Sequence, residues 1–207
     1  MSPDFAAAFD PALLELLGLA ERARSQTAGP LDQEQARLRA AIDRGGSRLS
    51  GSRAKDWELA AYALASLADE LLIAEITWPG QSWWENHALE VAACGTRDRA
   101  TRFFDRAEQA AGLASRDPLE AYMLAVVLGF KGMLRDRPEA LDAWLRRQEQ
   151  LVKVGQGRPV LPDVPPDLSG APPLSGKTSL IWASLATALA LACTVVTVEA
   201  AIWRGAG

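Results

Sequence analysis

Residues 180–198, LIWASLATALALACTVVTV, constrain this chain more than any other stretch. They carry no charge, no proline and no glycine. Their polar side chains are Ser184, Thr187, Thr194 and Thr197, whose hydroxyls can bond back to the preceding helical turn. At ~1.5 Å per residue such a helix reaches roughly 28 Å, about one hydrocarbon core. Trp182 and Trp203 stand near its two ends, where amphipathic rings favour the membrane interface, and Lys177 and Arg204 bracket it. The other reading is a buried core helix of a soluble bundle, but such a helix usually shows charges by its second turn. A single C-terminal transmembrane anchor over 177–203 is therefore expected, with the lipid bilayer as its partner and a short tail, 204–207, beyond it.

The segment before the anchor changes composition sharply. Six of the twelve prolines fall between Pro159 and Pro173. That density forbids a helix and favours an extended, semi-rigid stalk, so 154–176 reads as a linker. What precedes it, 1–153, is long enough for one domain with its own core. The formal net charge is −4 and no basic patch stands out, so nucleic acid is not an expected partner. Cys94 and Cys193 lie in different regions, which argues against a disulfide and fits a reducing compartment. Residues 1–9 lack a basic start and a long apolar run, so the N-terminal domain is expected to stay on the side where it is made.

Helical periodicity accounts for 1–153, and no stretch alternates well enough to be a strand. Asp10-Pro11 predicts a helix start, with Leu13, Leu14, Leu16, Leu17 and Ala20 forming an apolar stripe that ends near Arg24. A second helix is predicted over 32–48, weakened at its end by Gly45-Gly46. The third, 55–76, reads KDWELAAYALASLADELLIAEI and is apolar nearly all round, the mark of a central buried helix. Trp78-Pro79-Gly80 stops it. Ser82 and Glu85 predict a capping box for a helix through about Ala93. Further helices are predicted over 99–113, over 119–130 with Asp117 as its cap, and from Pro138 to about Leu151. The expected fold class is all-α: a helical bundle of about seven helices on a single C-terminal transmembrane helix.

Asp69 and Glu70 are the anomaly of the third helix. Their neighbours three and four positions away are Ala65, Ser66, Leu67, Leu72, Ile73 and Ala74, and an unpaired carboxylate there is costly. They must either pair with arginines of other helices, with Arg102, Arg106 or Arg135 as candidates, or face a cleft. Paired catalytic acids are disfavoured, because adjacent helical residues point about 100° apart and do not converge on one atom. His87 is the lone histidine and reads as a structural or surface residue. Neither cysteine has a partner at metal-ligand spacing, and Gly176-Lys177-Thr178 lacks the earlier glycine of a phosphate loop. No catalytic residue, cofactor or metal is expected. Trp78, Trp83 and Trp84 divide between core packing and a hot spot for a partner.

The ordered set of 61–70 (AYALASLADE), Trp78, Trp84, Leu89, Phe103-Phe104, 119–122 (LEAY) and 129–132 (GFKG) resembles the DotU/IcmH/TssL family of bacterial secretion systems. The order and spacing match over about Trp57 to Leu145, and the tail anchor behind a proline-rich linker fits as well. The resemblance implies a hook-like cytoplasmic helical domain held at the bacterial inner membrane by one span. It implies a structural, non-enzymatic component of type VI or type IVB secretion machinery. Expected partners are an IcmF/TssM-like inner-membrane protein and TssK-like baseplate proteins. It points to Asp69 and Glu70 as partner-binding residues, and the hot-spot reading of the tryptophans adds Trp78 and Trp84 as partner-binding candidates. Two departures stand out: Arg99-Ala100-Thr101 replaces a glycine pair before Phe103-Phe104, and Lys131 stands where glutamate is frequent. No peptidoglycan-binding domain is expected beyond the anchor.

Two other readings compete with that one: a tail-anchored adaptor or regulator unrelated to secretion, and a membrane-bound enzyme with an unrecognised site. Within the anchor, Ser184, Ala188 and Ala192 put small residues at every fourth position, a spacing that allows close helix contact and predicts a homodimer through the membrane.

Overall fold

The computed structural model describes residues 1–155. The predicted linker from 156 onward, the anchor with Trp182, Ala188, Ala192 and Trp203, and the tail lie outside the described residues. Among the described residues no helix is long and apolar enough to cross a membrane, and there is no strand. The described residues form eight α-helices: α1 (Pro3–Arg24), α2 (Leu31–Ser47), α3 (Ser52–Glu70), α4 (Gln81–Asn86), α5 (Leu89–Cys94), α6 (Arg99–Ala111), α7 (Asp117–Val127) and α8 (Pro138–Gly155). A π-helical turn, Leu71–Glu75, continues α3, and a 3-10 turn, Gly132–Leu134, precedes α8.

The α3 helix is the axis around which the others pack. It touches α1, α2, α5, α6 and α7, and every residue from Tyr62 to Glu70 is buried. Its small residues, Ala60, Ala63, Ala65 and Ala68, let neighbouring helices approach closely. The indole of Trp57 lies against Phe5 and Phe9, with ring centroids 5.8 and 6.5 Å away. It also explains Gly45 and Gly46, which lie in the last turn of α2 near its expected end. A Cβ on Gly45 would sit 2.3 Å from that indole and 2.7 Å from the Ala8 carbonyl, and one on Gly46 would sit 2.8 Å from the indole. These glycines are a seat for Trp57 in the last turn of α2. A second aromatic group closes the far side of α3. Phe103 stacks on Phe130 at 3.7 Å and meets Tyr122 edge-on at 4.8 Å, while Phe104 meets Trp144 of α8.

Four local expectations are corrected. First, α1 begins at Pro3, not at Asp10, and Pro11 lies inside it. An interior proline leaves the carbonyl four residues back without its helical donor. That carbonyl belongs to Ala7, and the Arg48 guanidinium donates to it at 2.8 Å. Second, the helix expected over 55–76 starts earlier, at Ser52, and its last turn, Leu71–Glu75, is π-helical, ending where expected with Ile76 extended. The orphaned carbonyls of Leu72 and Ile73 accept from the Trp78 indole (2.8 Å) and the Gln81 amide (2.7 Å). Third, the helix expected over 82–93 is two short ones. Ser82 lies inside α4 with no capping bond, so the Ser82–Glu85 box is not formed. Fourth, Asp117 does not cap α7. Its carboxylate accepts from the Ser2 backbone N–H (2.6 Å) and hydroxyl (2.5 Å) instead.

Candidate functional site

Asp69 and Glu70 leave α3 in different directions, and each fastens a different loop. Asp69 is fully buried. Its Oδ1 accepts from the Trp84 indole and the Leu89 backbone N–H, both at 2.9 Å, and its Oδ2 accepts from the Glu90 N–H at 2.8 Å. Leu89 and Glu90 open α5, so Asp69 caps that helix from 20 residues away in sequence. This long-range cap is why the chain breaks between α4 and α5. Burial pushes the Asp69 carboxyl above the ordinary range, against the pull of its three N–H donors and the Arg99 charge.

Glu70 is 3 % exposed and works on the other side. Its Oε1 accepts from Arg135 at 2.7 Å and from the backbone N–H groups of Gly132 (3.1 Å) and Lys131 (3.3 Å), while Arg99 stands 3.5 Å from Oε2. Those two N–H groups converge because Gly129 and Gly132 take φ of +118° and +49°. Gly132 has a second reason to be glycine: a Cβ there would lie 2.7 Å from the Ala100 carbonyl. Glu75, carried outward by the π turn, pairs with Lys131 (2.8 Å) and Arg135 (2.5 Å). Burial raises the Glu75 carboxyl, but hydrogen bonds and charge from Lys131 and Arg135 outweigh it and hold it below the ordinary range. Lys131, a departure from the family pattern, thus has an acidic partner in Glu75.

Of the arginines expected to neutralise the pair, Arg135 does so. Arg102 bonds the Thr96 hydroxyl at 2.9 Å, and Arg106 lies over the Tyr62 ring at 4.3 Å. Arg99 was not among the expected partners. Trp84 is fully buried and Trp78 is 6 % exposed, their rings 6.4 Å apart. Neither carboxylate nor the Trp84 indole lines a surface cleft, while Trp78 borders a small pocket of about 220 Å³ with Leu31, Pro79 and Gly80. His87 is exposed and stacks on Trp83 at 4.2 Å. Among the described residues no group of acids, histidines and cysteines is placed to hold a metal ion.

A cleft does exist one helical face away. It has a volume of about 450 Å³ and runs between α2, α3, α5 and α6. Ala61, Tyr62 and Ala65 of α3 form its floor, with Ile42, Leu89 and Ala92 beside them, and Arg39, Asp43, Glu58 and Arg106 are charged positions around it. Sequence reasoning missed this cleft and the buried carboxylate beside it. Glu90 is 1 % exposed, and it accepts from the Tyr62 hydroxyl (2.9 Å), the Thr96 hydroxyl (3.0 Å) and the Arg99 N–H (3.1 Å). A glutamate in the apolar run 88–93 was the available signal.

The chain's own pattern agrees with a known family. The model of the type VI secretion system protein DotU matches residues 8–201. The chain belongs to the DotU family. Among solved structures, the cytoplasmic domain of TssL from Acinetobacter baumannii shares the fold. The TM-score is 0.60 at 21 % identity, over 70 % of this chain and 96 % of that one. No curated protein matches the chain. The DotU match spans both the helical bundle and most of the apolar C-terminal segment, and it decides between the readings: this is a type VI secretion protein, not an adaptor unrelated to secretion.

Proposed function

We propose that this DotU-family protein is a non-enzymatic structural component that docks cytoplasmic baseplate or partner proteins to the bacterial inner membrane. The observation that carries the reading is the cleft between α2, α3, α5 and α6, with an apolar floor and charged positions of both signs around it. An apolar centre within a polar surround is how protein interfaces are built. The family adds the setting. The protein is a single-pass membrane component: residues 1–153 form the cytoplasmic domain, 154–176 a proline-rich stalk, 177–203 the anchor and 204–207 a short tail.

In this reading a TssK-like baseplate protein occupies the cleft, and an IcmF/TssM-like protein accompanies the anchor within the bilayer. Asp69, Glu70, Trp78 and Trp84 serve docking from beneath the surface, by fixing the loops that shape it. Trp182 and Trp203 set the depth of the anchor, and Ala188 and Ala192 are the contact of a homodimer. The test is fractionation and co-purification of the full chain. The expected result is a protein that resists alkaline carbonate extraction from membranes and brings down the IcmF/TssM-like protein of its own secretion system. Recovery in the soluble fraction, alone, would overturn the reading.

A further inference from the structure

Two carboxylates, Asp69 and Glu90, lie wholly inside the bundle and are arranged in series. Asp69 accepts the N–H groups of Leu89 and Glu90 and so fixes the start of α5. The Glu90 side chain, from the first turn of α5, then accepts the Arg99 N–H that opens α6. Its other oxygen receives two hydroxyls, Tyr62 from α3 and Thr96 from the loop before α6. Thr96 in turn accepts from Arg102, and Tyr62 carries Arg106 over its ring. Glu90 thus ties together the three helices α3, α5 and α6, and Tyr62, Arg106, Leu89 and Ala92 of those helices all line the cleft. Among the described residues the donors to Glu90 are two hydroxyls and a backbone N–H, groups that fix direction.

We propose that Glu90 is a positioning residue of the cleft. Together with Asp69 it forms a buried relay that sets how far α5 stands from α2 and how Tyr62 and Arg106 are presented. Asp69 therefore acts on a docked protein without touching it. This rests on the cleft-docking reading above and says by what route buried acids reach the cleft surface.

The relay can be read from geometry and from docking separately. In the full-length chain with Cys94 and Cys193 replaced by serine, spin labels at Arg39→Cys and Ala92→Cys report the separation of two cleft walls. Both residues are exposed and line the cleft. Glu90→Gln preserves shape but leaves one accepting oxygen in place of two, so either the Arg99 N–H or the pair of hydroxyls loses its acceptor. Tyr62→Phe keeps the ring and removes one donor, and it decides the matter if Glu90→Gln fails to fold. The expected result, with helical circular dichroism unchanged, is a longer and broader label separation in Glu90→Gln and a smaller change of the same sign in Tyr62→Phe. Capture of a purified TssK-like baseplate protein should fall about tenfold in Glu90→Gln, the equivalent of one well-made buried hydrogen bond. Unchanged separation in folded variants would overturn the relay. A widened cleft with undiminished capture would leave the relay standing and overturn docking in the cleft.

Discussion

Asp69 shows how a residue can be conspicuous in sequence and invisible at the surface. Its three donors are all N–H groups, so an ionised carboxylate suits them and an amide does not. Asp69→Asn turns one acceptor into a donor facing a buried N–H, and it is expected to cost about 1–3 kcal/mol in denaturant unfolding. A midpoint equal to wild type would show that the α5 cap contributes nothing. Its pH behaviour is distinctive too. An acid whose folded pKa is raised keeps its proton in the folded state above the ordinary 3.8, so its contribution falls as pH rises through that window. Glu34 does the opposite. It is buried and bonded to Arg22 (2.7 Å), Arg37 (2.6 Å) and the Gly29 N–H (2.9 Å). Burial pushes it up, but those partners outweigh burial and hold it below 4.5. Its contribution is whole above pH 4.5 and is lost as pH falls through the lowered value. Thermal midpoints from roughly pH 2 to 7 should therefore lose part of their acid decline in Glu34→Gln. They should lose part of their decline above pH 3.8 in Asp69→Asn. Parallel curves for both variants and wild type would refute the assignment.

At the scale of elements, the helices that bury one face were legible from periodicity, and so was the central place of α3. What stayed hidden was set by contacts distant in sequence. Nothing near Ser82 tells that Asp69 will claim the Leu89 and Glu90 N–H groups and split one helix into two. Nothing near Pro11 tells that Arg48 will satisfy the Ala7 carbonyl and let α1 run through. Asp117 has the chemistry of a cap and spends it on Ser2. Gly45-Gly46 looked like a weak helix end, because sequence shows the missing side chains and not the indole that fills the space. That seat gives a direct test. Gly45→Ala improves helix propensity, yet it is expected to destabilise by about 1–3 kcal/mol, because the new methyl overlaps both an aromatic ring and a backbone carbonyl. A stabilised protein would mean that Trp57 has room to retreat.

For the whole molecule, the sequence supplied the family, the all-α class and the carboxylate pair, while the cleft needed the fold. Asp69 and Glu70 adjoin one another in sequence but serve loops on different sides of α3, and the cleft is built from a third direction, by Ala61, Tyr62 and Ala65. The proposed homodimer belongs to this scale. Ala188→Leu with Ala192→Leu should abolish self-association in a membrane reporter, and association that survives both would remove those residues from the contact. The docking claim itself is tested most directly by filling the cleft without disturbing the buried acids. Ala61 is half-buried on its floor, so Ala61→Trp places an indole where a partner would lie. Capture of a TssK-like baseplate protein by the full chain is the measurement. The expected outcome is loss of capture with membrane fractionation and thermal midpoint retained, and capture equal to wild type would contradict the account.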